Sequence, residues 1–378
     1  MRQIYLDFNA TTPVAPSVQE AMLPFFGEHF GDPAGGHALG RACQEAIEDA
    51  RSRLADALGA DPDEIVFTSG GTEAANLAVK GVLMGPDRPL GGHLVVSAVE
   101  HPAVAATAHA LERLGCDVSI VACDAQGRVD PHQVEAALRP DTALVCLMHA
   151  NHEIGTIQPI EQVARLCQAR DVLLFTDAAQ SVGKIVTRVD QLQVDLLALS
   201  GHKFYGPKGV GALYVRRGTA LEPLLHGGGH EGGLRSGAEN VPAIVALGKA
   251  AALTTKCVDE SVERLGSLRD RLLDRLQAEI GPRLTFNGHP VERLPNTLSV
   301  NFPGVSAGEL LLRVPELCAS TGSAAHFGGK NASPTLAAIG LPPDVSRGTV
   351  RLSLGWSTSQ EQIDRAASLL TAAWEDLH

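Results

Sequence analysis

A lysine sits in the tight turn Ser200-Gly-His-Lys-Phe-Tyr-Gly206, directly after the apolar run Asp195-Leu-Leu-Ala-Leu199. Held at a strand end between small residues and polar groups, a lysine is desolvated and can join an aldehyde as a Schiff base, which a solvated surface lysine does not do. Pyridoxal phosphate is the aldehyde this chemistry suggests. It places further demands on a chain: an acid for the ring nitrogen, a cradle for the phosphate and a cover for the ring.

The segment Val172-Leu-Leu-Phe-Thr-Asp177 reads as a buried strand ending in a carboxylate, so Asp177 is the candidate partner of the ring nitrogen. In Glu64-Ile-Val-Phe-Thr-Ser-Gly-Gly-Thr-Glu-Ala-Ala-Asn76 a short strand meets a glycine turn and a helix start, aiming the amides of Gly71 and Thr72 at an anion. His101 closes the strand-like Leu94-Val-Val-Ser-Ala-Val-Glu-His101 and is positioned to stack on the ring. Asn151 closes Val145-Cys-Leu-Met-His-Ala-Asn151 and offers an amide to a ring hydroxyl or to a substrate carboxylate. Each alone has a plainer role: His101 a structural histidine, Asp177 a helix cap, Asn151 a turn residue, Ser-Gly-Gly-Thr a helix entry. Their convergence carries the cofactor reading, because ligands of open α/β sheets collect at the carboxyl ends of strands.

Together with Asp7-Phe-Asn-Ala-Thr-Thr-Pro13, Asn151-His-Glu-Ile-Gly155, Thr176-Asp-Ala-Ala-Gln180 and Gly227-Gly-Gly-His-Glu231, these strings closely resemble the cysteine desulfurase family in its NifS-like and IscS-like branch. That branch lies among the class-V aminotransferases of PLP fold type I, and selenocysteine lyases are similar too. The likeness runs from Tyr5 to the final helix. It implies that Lys203 carries pyridoxal 5'-phosphate, Asp177 faces the ring nitrogen and Gln180 bonds the ring hydroxyl. It implies that Gly71, Thr72, Ser200 and His202 hold the phosphate, and that Asn151 and Arg351 bind the substrate carboxylate. L-cysteine or L-selenocysteine would be the substrate, Lys203 the carrier of the α-proton and His101 an acid or base beside the ring. A homodimer is also implied, whose partner loop near Arg235 to Asn240 completes the site, as is a sulfur-acceptor protein. Arg351 has independent physical support, since a planar guanidinium suits a carboxylate, although its alternating strand also permits a surface arginine.

The most consequential departure from the family pattern is at Ala325. The family carries its sulfur-accepting cysteine on a loop ending Gly-Ser-Ala-Cys, and this chain reads Thr321-Gly-Ser-Ala-Ala325. A thiolate is needed there for nucleophilic attack on the substrate sulfur, and alanine cannot supply one. Either the cysteine has been changed to alanine to give an inactive, trapped enzyme, or the natural protein lacks the nucleophile. The surrounding Gly322, His326, Gly328, Gly329 and Pro334 still read as a mobile catalytic loop, which favours the first. Ala238 stands where relatives place a phosphate-reaching threonine, and Gly232 and Trp356 stand where they carry arginine. Three other functions stay open: a selenocysteine lyase, whose better leaving group needs the loop thiol less, a different PLP lyase or aminotransferase, and a non-catalytic subunit that docks on a sulfur acceptor.

The rest of the chain must position these groups. Strands are predicted at Ile65 to Thr68, Leu94 to Ala98, Val118 to Val121, Ala143 to Met148, Val172 to Thr176, Leu196 to Ser200 and Gly211 to Val215, alternating with helical patterns. This is an α/β fold with a mostly parallel sheet in a large cofactor-binding lobe, residues 15–255. Residues 256–378, joined by 1–14 through the resemblance, form a smaller α+β lobe that opens on a helix from Ser261 to Ile280 with Leu265, Leu268, Leu272 and Leu276 on one stripe. The seven scattered cysteines show no metal-ligand spacing and read as reduced thiols, with Cys318 expected to be buried. The net charge of -12 argues against nucleic-acid or anionic-membrane partners. With no apolar run of membrane-spanning length and no basic leader before Ile4, the cytoplasm is the expected location.

Overall fold

The computed structural model describes residues 3–85, 92–322 and 333–377. Its centre is a seven-stranded sheet in the order Ile65–Thr68, Gly211–Val215, Leu196–Ser200, Leu173–Asp177, Thr142–Cys146, His93–Ser97, Asp117–Val121. Neighbours are parallel throughout except around Gly211–Val215, which runs against both of its partners. The α/β class and the mostly parallel sheet expected from the sequence are found, with strand limits displaced by at most two residues.

Side chains on these strands alternate between two cores. Phe67, Val95, Val145, Leu174 and Leu197 enter one, while Val66, Leu94, Leu144, Phe175 and Leu196 enter the other. A sheet buried on both faces has no solvated side, so its strands read as unbroken apolar runs rather than alternating ones. On one face the helix Ala38–Leu58 lies against Val241–Lys256. Their contact depends on Gly248, where a Cβ would stand 2.6 Å from the Ala50 Cα.

A second sheet of four antiparallel strands runs Ser320–Thr321, Thr349–Ser353, Thr297–Asn301, Thr285–Asn287. Its core takes Leu265, Leu272 and Leu276 from the helix Val258–Ile280, and Ile363 and Leu370 from Gln360–Glu375. Leu268, expected on the same stripe, is only partly buried. Ile4 and Leu6 belong to this core too, because the strand Ile4–Tyr5 pairs in parallel with Leu317–Cys318. That pairing also corrects the expectation for Cys318. Leu317 turns into the core, so its neighbour faces the other way and is half-buried.

From Leu6 the chain crosses to the large sheet. Thr12 donates its backbone N–H to the His202 carbonyl at 2.9 Å, and Ala15 donates to Tyr205 at 3.0 Å. Residues 7–15 therefore lie over the carboxyl end of Leu196–Ser200, beside the turn that carries Lys203.

Candidate active site

The strand Leu196–Ser200 delivers Lys203 on a single 3-10 turn, Gly201–Lys203. That turn is tight because Gly206 folds back on Gly201, where a Cβ would meet the Gly201 carbonyl oxygen at 2.9 Å. The Lys203 Nζ donates to the backbone carbonyls of Asn9 at 2.7 Å and Ala10 at 2.9 Å. Among the described residues no carboxylate pairs with it. Burial first, and then the Arg351 charge, lower its pKa from 10.5 to about 8 against the opposing pull of Asp177 and Asp7. An amine with that proton affinity is a competent nucleophile toward an aldehyde near neutral pH.

Asp177 ends the neighbouring strand and is buried, its Oδ1 accepting from the Ala179 N–H at 2.9 Å. Turns follow it rather than a helix, so a helix-capping role is not what holds it there. His101 is the N-cap of Pro102–Glu112, with Nδ1 accepting from the Ala103 N–H at 3.0 Å. The plainer structural role is therefore real, but it occupies only one ring nitrogen and places the neutral proton on Nε2. Burial lowers the His101 pKa, Lys203 adds to this and Asp177 opposes it. The His152 ring packs edge-on at 5.2 Å, and burial together with His101, Arg351 and Lys203 holds its pKa well below the ordinary value.

The expected anion cradle maps to the start of Gly71–Leu83. Gly70 precedes it at φ 153, and no side chain caps the helix end, so the first amides stay open. Gly71 approaches Ser200 so closely that a Cβ would stand 3.2 Å from the Ser200 Cβ. Ser200 is buried, and among the described residues its hydroxyl makes no hydrogen bond within the protein. His202 bonds Thr11 Oγ1 through Nδ1 at 3.1 Å, and burial followed by neighbouring lysines lowers its pKa to about 4. A neutral imidazole, an unspent hydroxyl and an uncapped helix terminus suit a phosphate. With Lys203 and Asp177 alongside, the residues present fit pyridoxal phosphate.

Gln180 and Asn151 are more deeply placed than the sequence implied. Gln180 is buried, donating through Nε2 to the Asn9 carbonyl at 3.0 Å and accepting at Oε1 from Lys184. Asn151 is fully buried, its Oδ1 taking the amides of Glu153 and Ile154 and its Nδ2 bonding the Val99 carbonyl at 3.1 Å. Its Nδ2 also contacts Met148 Sδ at 3.5 Å, an ordinary length for a sulfur acceptor, and Thr335 Oγ1 at 3.4 Å.

Arg351 leaves the strand Thr349–Ser353 toward this region and is mostly buried, which removes the surface-arginine alternative. Its Nη2 pairs with Asp7 at 2.8 Å and bonds Ser320 Oγ at 3.0 Å, while Nη1 reaches the His152 carbonyl at 3.2 Å. Among the described residues the buried Nε–H has no hydrogen-bond partner. Ala325 lies outside the described residues, as do His326, Gly328 and Gly329.

Three features escaped the sequence reading. Asn9 anchors Lys203, Gln180 and Lys184 at once. Glu231 takes a bidentate pair from Arg51 and the backbone amide of Phe67 at 2.7 Å, fastening the Gly227-Gly-Gly-His-Glu231 loop to the sheet edge. Trp356, expected only as a departure, stacks on Tyr205 with ring centroids 3.7 Å apart and an interplanar angle of 14°. Gly232 sits at φ 64 in the same loop as Glu231, a conformation glycine adopts without strain. Among the described residues no cluster of three or more His, Cys, Asp or Glu could hold a metal.

A family model described as aminotransferase class-V matches residues 4–366. A cysteine desulfurase IscS from Dictyoglomus turgidum is 44% identical over 378 residues, covering 100% of this chain and 95% of that one. A cysteine desulfurase IscS from Methanosarcina thermophila is 44% identical over 371 residues, covering 98% and 91%. Among solved structures, a NifS-like protein superposes with a TM-score of 0.91 at 35% identity, covering 99% of each chain. SspA in complex with cysteine superposes with a TM-score of 0.82 at 38% identity, covering 93% and 98%.

Proposed function

The chain belongs to the class-V aminotransferases, in their cysteine desulfurase branch, whose members depend on pyridoxal phosphate, and from that membership we propose that its Lys203 site is built to remove sulfur from L-cysteine, a reaction that Ala325 arrests in this chain for want of the loop thiol. The observation that carries the reading is the Lys203 amine, lowered to about 8, seated between the buried Asp177 and the open end of Gly71–Leu83. When bound, the cofactor supplies an electron sink that acidifies the α-proton of an amino acid.

The residues have separable tasks in this reading. Lys203 holds the cofactor and, once released, carries the α-proton on Nζ. Asp177 keeps the ring nitrogen protonated by ion pairing in a buried setting. Gly71, Thr72, Ser200 and His202 bind the phosphate, and Gln180 donates to the ring hydroxyl. Arg351 and Asn151 orient the substrate carboxylate. His101, neutral and protonated on Nε2, covers the ring and exchanges a proton there. A thiolate at position 325 would take the sulfur, and Ala325 leaves the chain able to bind cysteine but without its own acceptor.

Ala325 also favours a second reading, a selenocysteine lyase, because selenium departs more readily and needs an attacking thiolate less. A homodimer completed by the loop Arg235 to Asn240, and a separate sulfur-acceptor protein, belong to the same proposal. So do the two-lobe division at residue 255 and the cytoplasmic location. Among the described residues no single helix is long and apolar enough to cross a membrane. The test is reduction of the cofactor-loaded protein with borohydride, followed by peptide mass mapping, with product analysis on cysteine and selenocysteine. Cofactor mass on the Lys203 peptide is expected; its appearance elsewhere overturns the assignment.

A further inference from the structure

Lys184 is a second amine in the same site, and nothing above gives it a task. It follows Gly183, which is held at φ 75 with its missing Cβ 2.8 Å from the Phe204 Cβ, so the chain passes close under the Lys203 turn. The side chain is buried, and among the described residues no carboxylate pairs with it. Its Nζ instead donates to Gln180 Oε1 and to Asn9 Oδ1 at 3.1 Å. Lys184 and Lys203 line one small enclosed cavity with Thr12, Tyr205 and Trp356.

Those two bonds decide which way the Gln180 amide faces. The Asn9 carbonyl can only accept, so it requires the amide nitrogen at 3.0 Å. Lys184 supplies a donor to the opposite end, which an inverted amide would meet with N–H against N–H. Asn9 is fixed in the same way, with Oδ1 accepting from Lys184 and from Asn296 Nδ2 at 3.0 Å. One Gln180 N–H is then left over, beside an amine whose own carbonyl acceptor is Asn9.

We propose that Lys184 is a positioning residue of this site, locking the Gln180 amide nitrogen-first so that its spare N–H stabilises the anionic ring oxygen of the bound cofactor. The proposal rests on the reading of Lys203 as the cofactor lysine. Burial, Lys203 and Arg351 all disfavour charge on Lys184, which agrees with an amine using two N–H donors. The charged groups that act on Lys184 are Lys203 and Arg351, and His202 feels Lys184 in turn; Asp177 and Asp7 act on Lys203 beside it, and His152 feels Lys203. All are retained when Lys184 alone is changed.

A donor to the ring oxygen competes with the proton shared between that oxygen and the Lys203 nitrogen, and so makes that proton easier to remove. Lys184→Met is therefore expected to raise the pH midpoint of the visible absorbance of the cofactor-loaded protein, by roughly tenfold in proton affinity. Lys184→Arg, which keeps two N–H donors, is expected to hold the midpoint at or below that of the unaltered chain. A midpoint unchanged in Lys184→Met, with cofactor still bound, overturns the proposal and leaves Lys184 a packing residue. Should Lys184→Met fail to fold, nitrogen-15 NMR of the Gln180 side-chain amide in the unaltered, cofactor-loaded protein decides. One Gln180 N–H that shifts as the cofactor ring titrates supports the lock, and an amide that does not respond overturns it. If the unaltered chain forms no borohydride-stable link at Lys203, the functional reading itself fails, which the absorbance shows before any variant is made.

Discussion

The guanidinium of Arg351 stands 2.8 Å from the carboxylate of Asp7, and Ser320 Oγ bridges them, 3.0 Å from Arg351 and 2.9 Å from Asp7. The group best suited to an amino-acid carboxylate is thus already partly neutralised by the chain's own acid. Asp7→Asn keeps the shape and frees the charge, so its dissociation constant for L-cysteine is expected to fall severalfold. Arg351→Ala removes charge-assisted hydrogen bonds worth about 1.5–3 kcal/mol, weakening binding by roughly ten- to a hundredfold. Spectral titration of the cofactor-loaded protein with cysteine measures both. Unchanged or weaker binding in Asp7→Asn shows that the two carboxylates do not compete.

The rate at which cofactor-free protein captures pyridoxal phosphate should follow the Lys203 amine. It is expected to rise with pH up to about 8 and then level off, where an unperturbed lysine would keep rising toward 10.5. Stability carries the same signature. Between those two values the unfolded chain binds more protons than the folded one, so this group makes the cofactor-free fold more stable as pH increases across that window. Below about 8 both states are protonated, and its unfavourable contribution is complete. Stopped-flow absorbance gives the capture profile, and a midpoint near 10 would show that burial does not depress this amine.

Ala325→Cys is expected to turn cysteine binding into sulfur transfer, with alanine and a persulfide detected in equal amounts and sulfide released on reduction. The unaltered chain is expected to bind cysteine and form no persulfide. A cysteine variant that binds substrate normally yet forms none removes the desulfurase reading, and turnover of selenocysteine by the alanine form then supports the lyase.

The Glu231 side chain is almost completely buried, 2% exposed, and both its oxygens accept, from Arg51 and from the Phe67 amide. Glu231→Ala leaves Arg51 with only the half-exposed Glu48 as counter-charge and takes the acceptor from the Phe67 amide, which is expected to cost about 1–3 kcal/mol of stability. The double change Arg51→Met with Glu231→Met should recover part of it, because it removes the under-compensated guanidinium while still leaving the Phe67 amide without its acceptor. Urea unfolding distinguishes these outcomes. Equal losses in the single and double variants would mean that the loop is held by other contacts.

Much of this site was legible because its groups close apolar runs. Asp177, His101, Ser200 and Lys203 each follow a stretch that can only be a buried strand, and strands in such sheets end on one side. Strand direction was less accessible. Nothing in Gly211-Ala-Leu-Tyr-Val215 distinguishes a reversed strand from a parallel one when both faces are covered. Asn9 and Lys184 were missed for another reason, since their importance arises where separate segments meet. A weak signal did exist for Lys184, a lysine set among Val182, Ile185 and Val186. Asn151 and Gln180 lie in this region, as the sequence suggested, but their burial follows from neighbours distant in sequence.

The acceptors of the Lys203 ammonium come from Asn9 and Ala10, on a strand of chain that begins inside the other hydrophobic core at Ile4 and Leu6. The reactive amine is therefore tethered to the second sheet by a lever only a few residues long. Trimming or fusing the protein ahead of Asp7 is consequently not a neutral choice for an engineer. Any change that lets Ile4–Tyr5 peel from Leu317–Cys318 would slacken the lever and change the reactivity of a lysine nearly two hundred positions away in sequence.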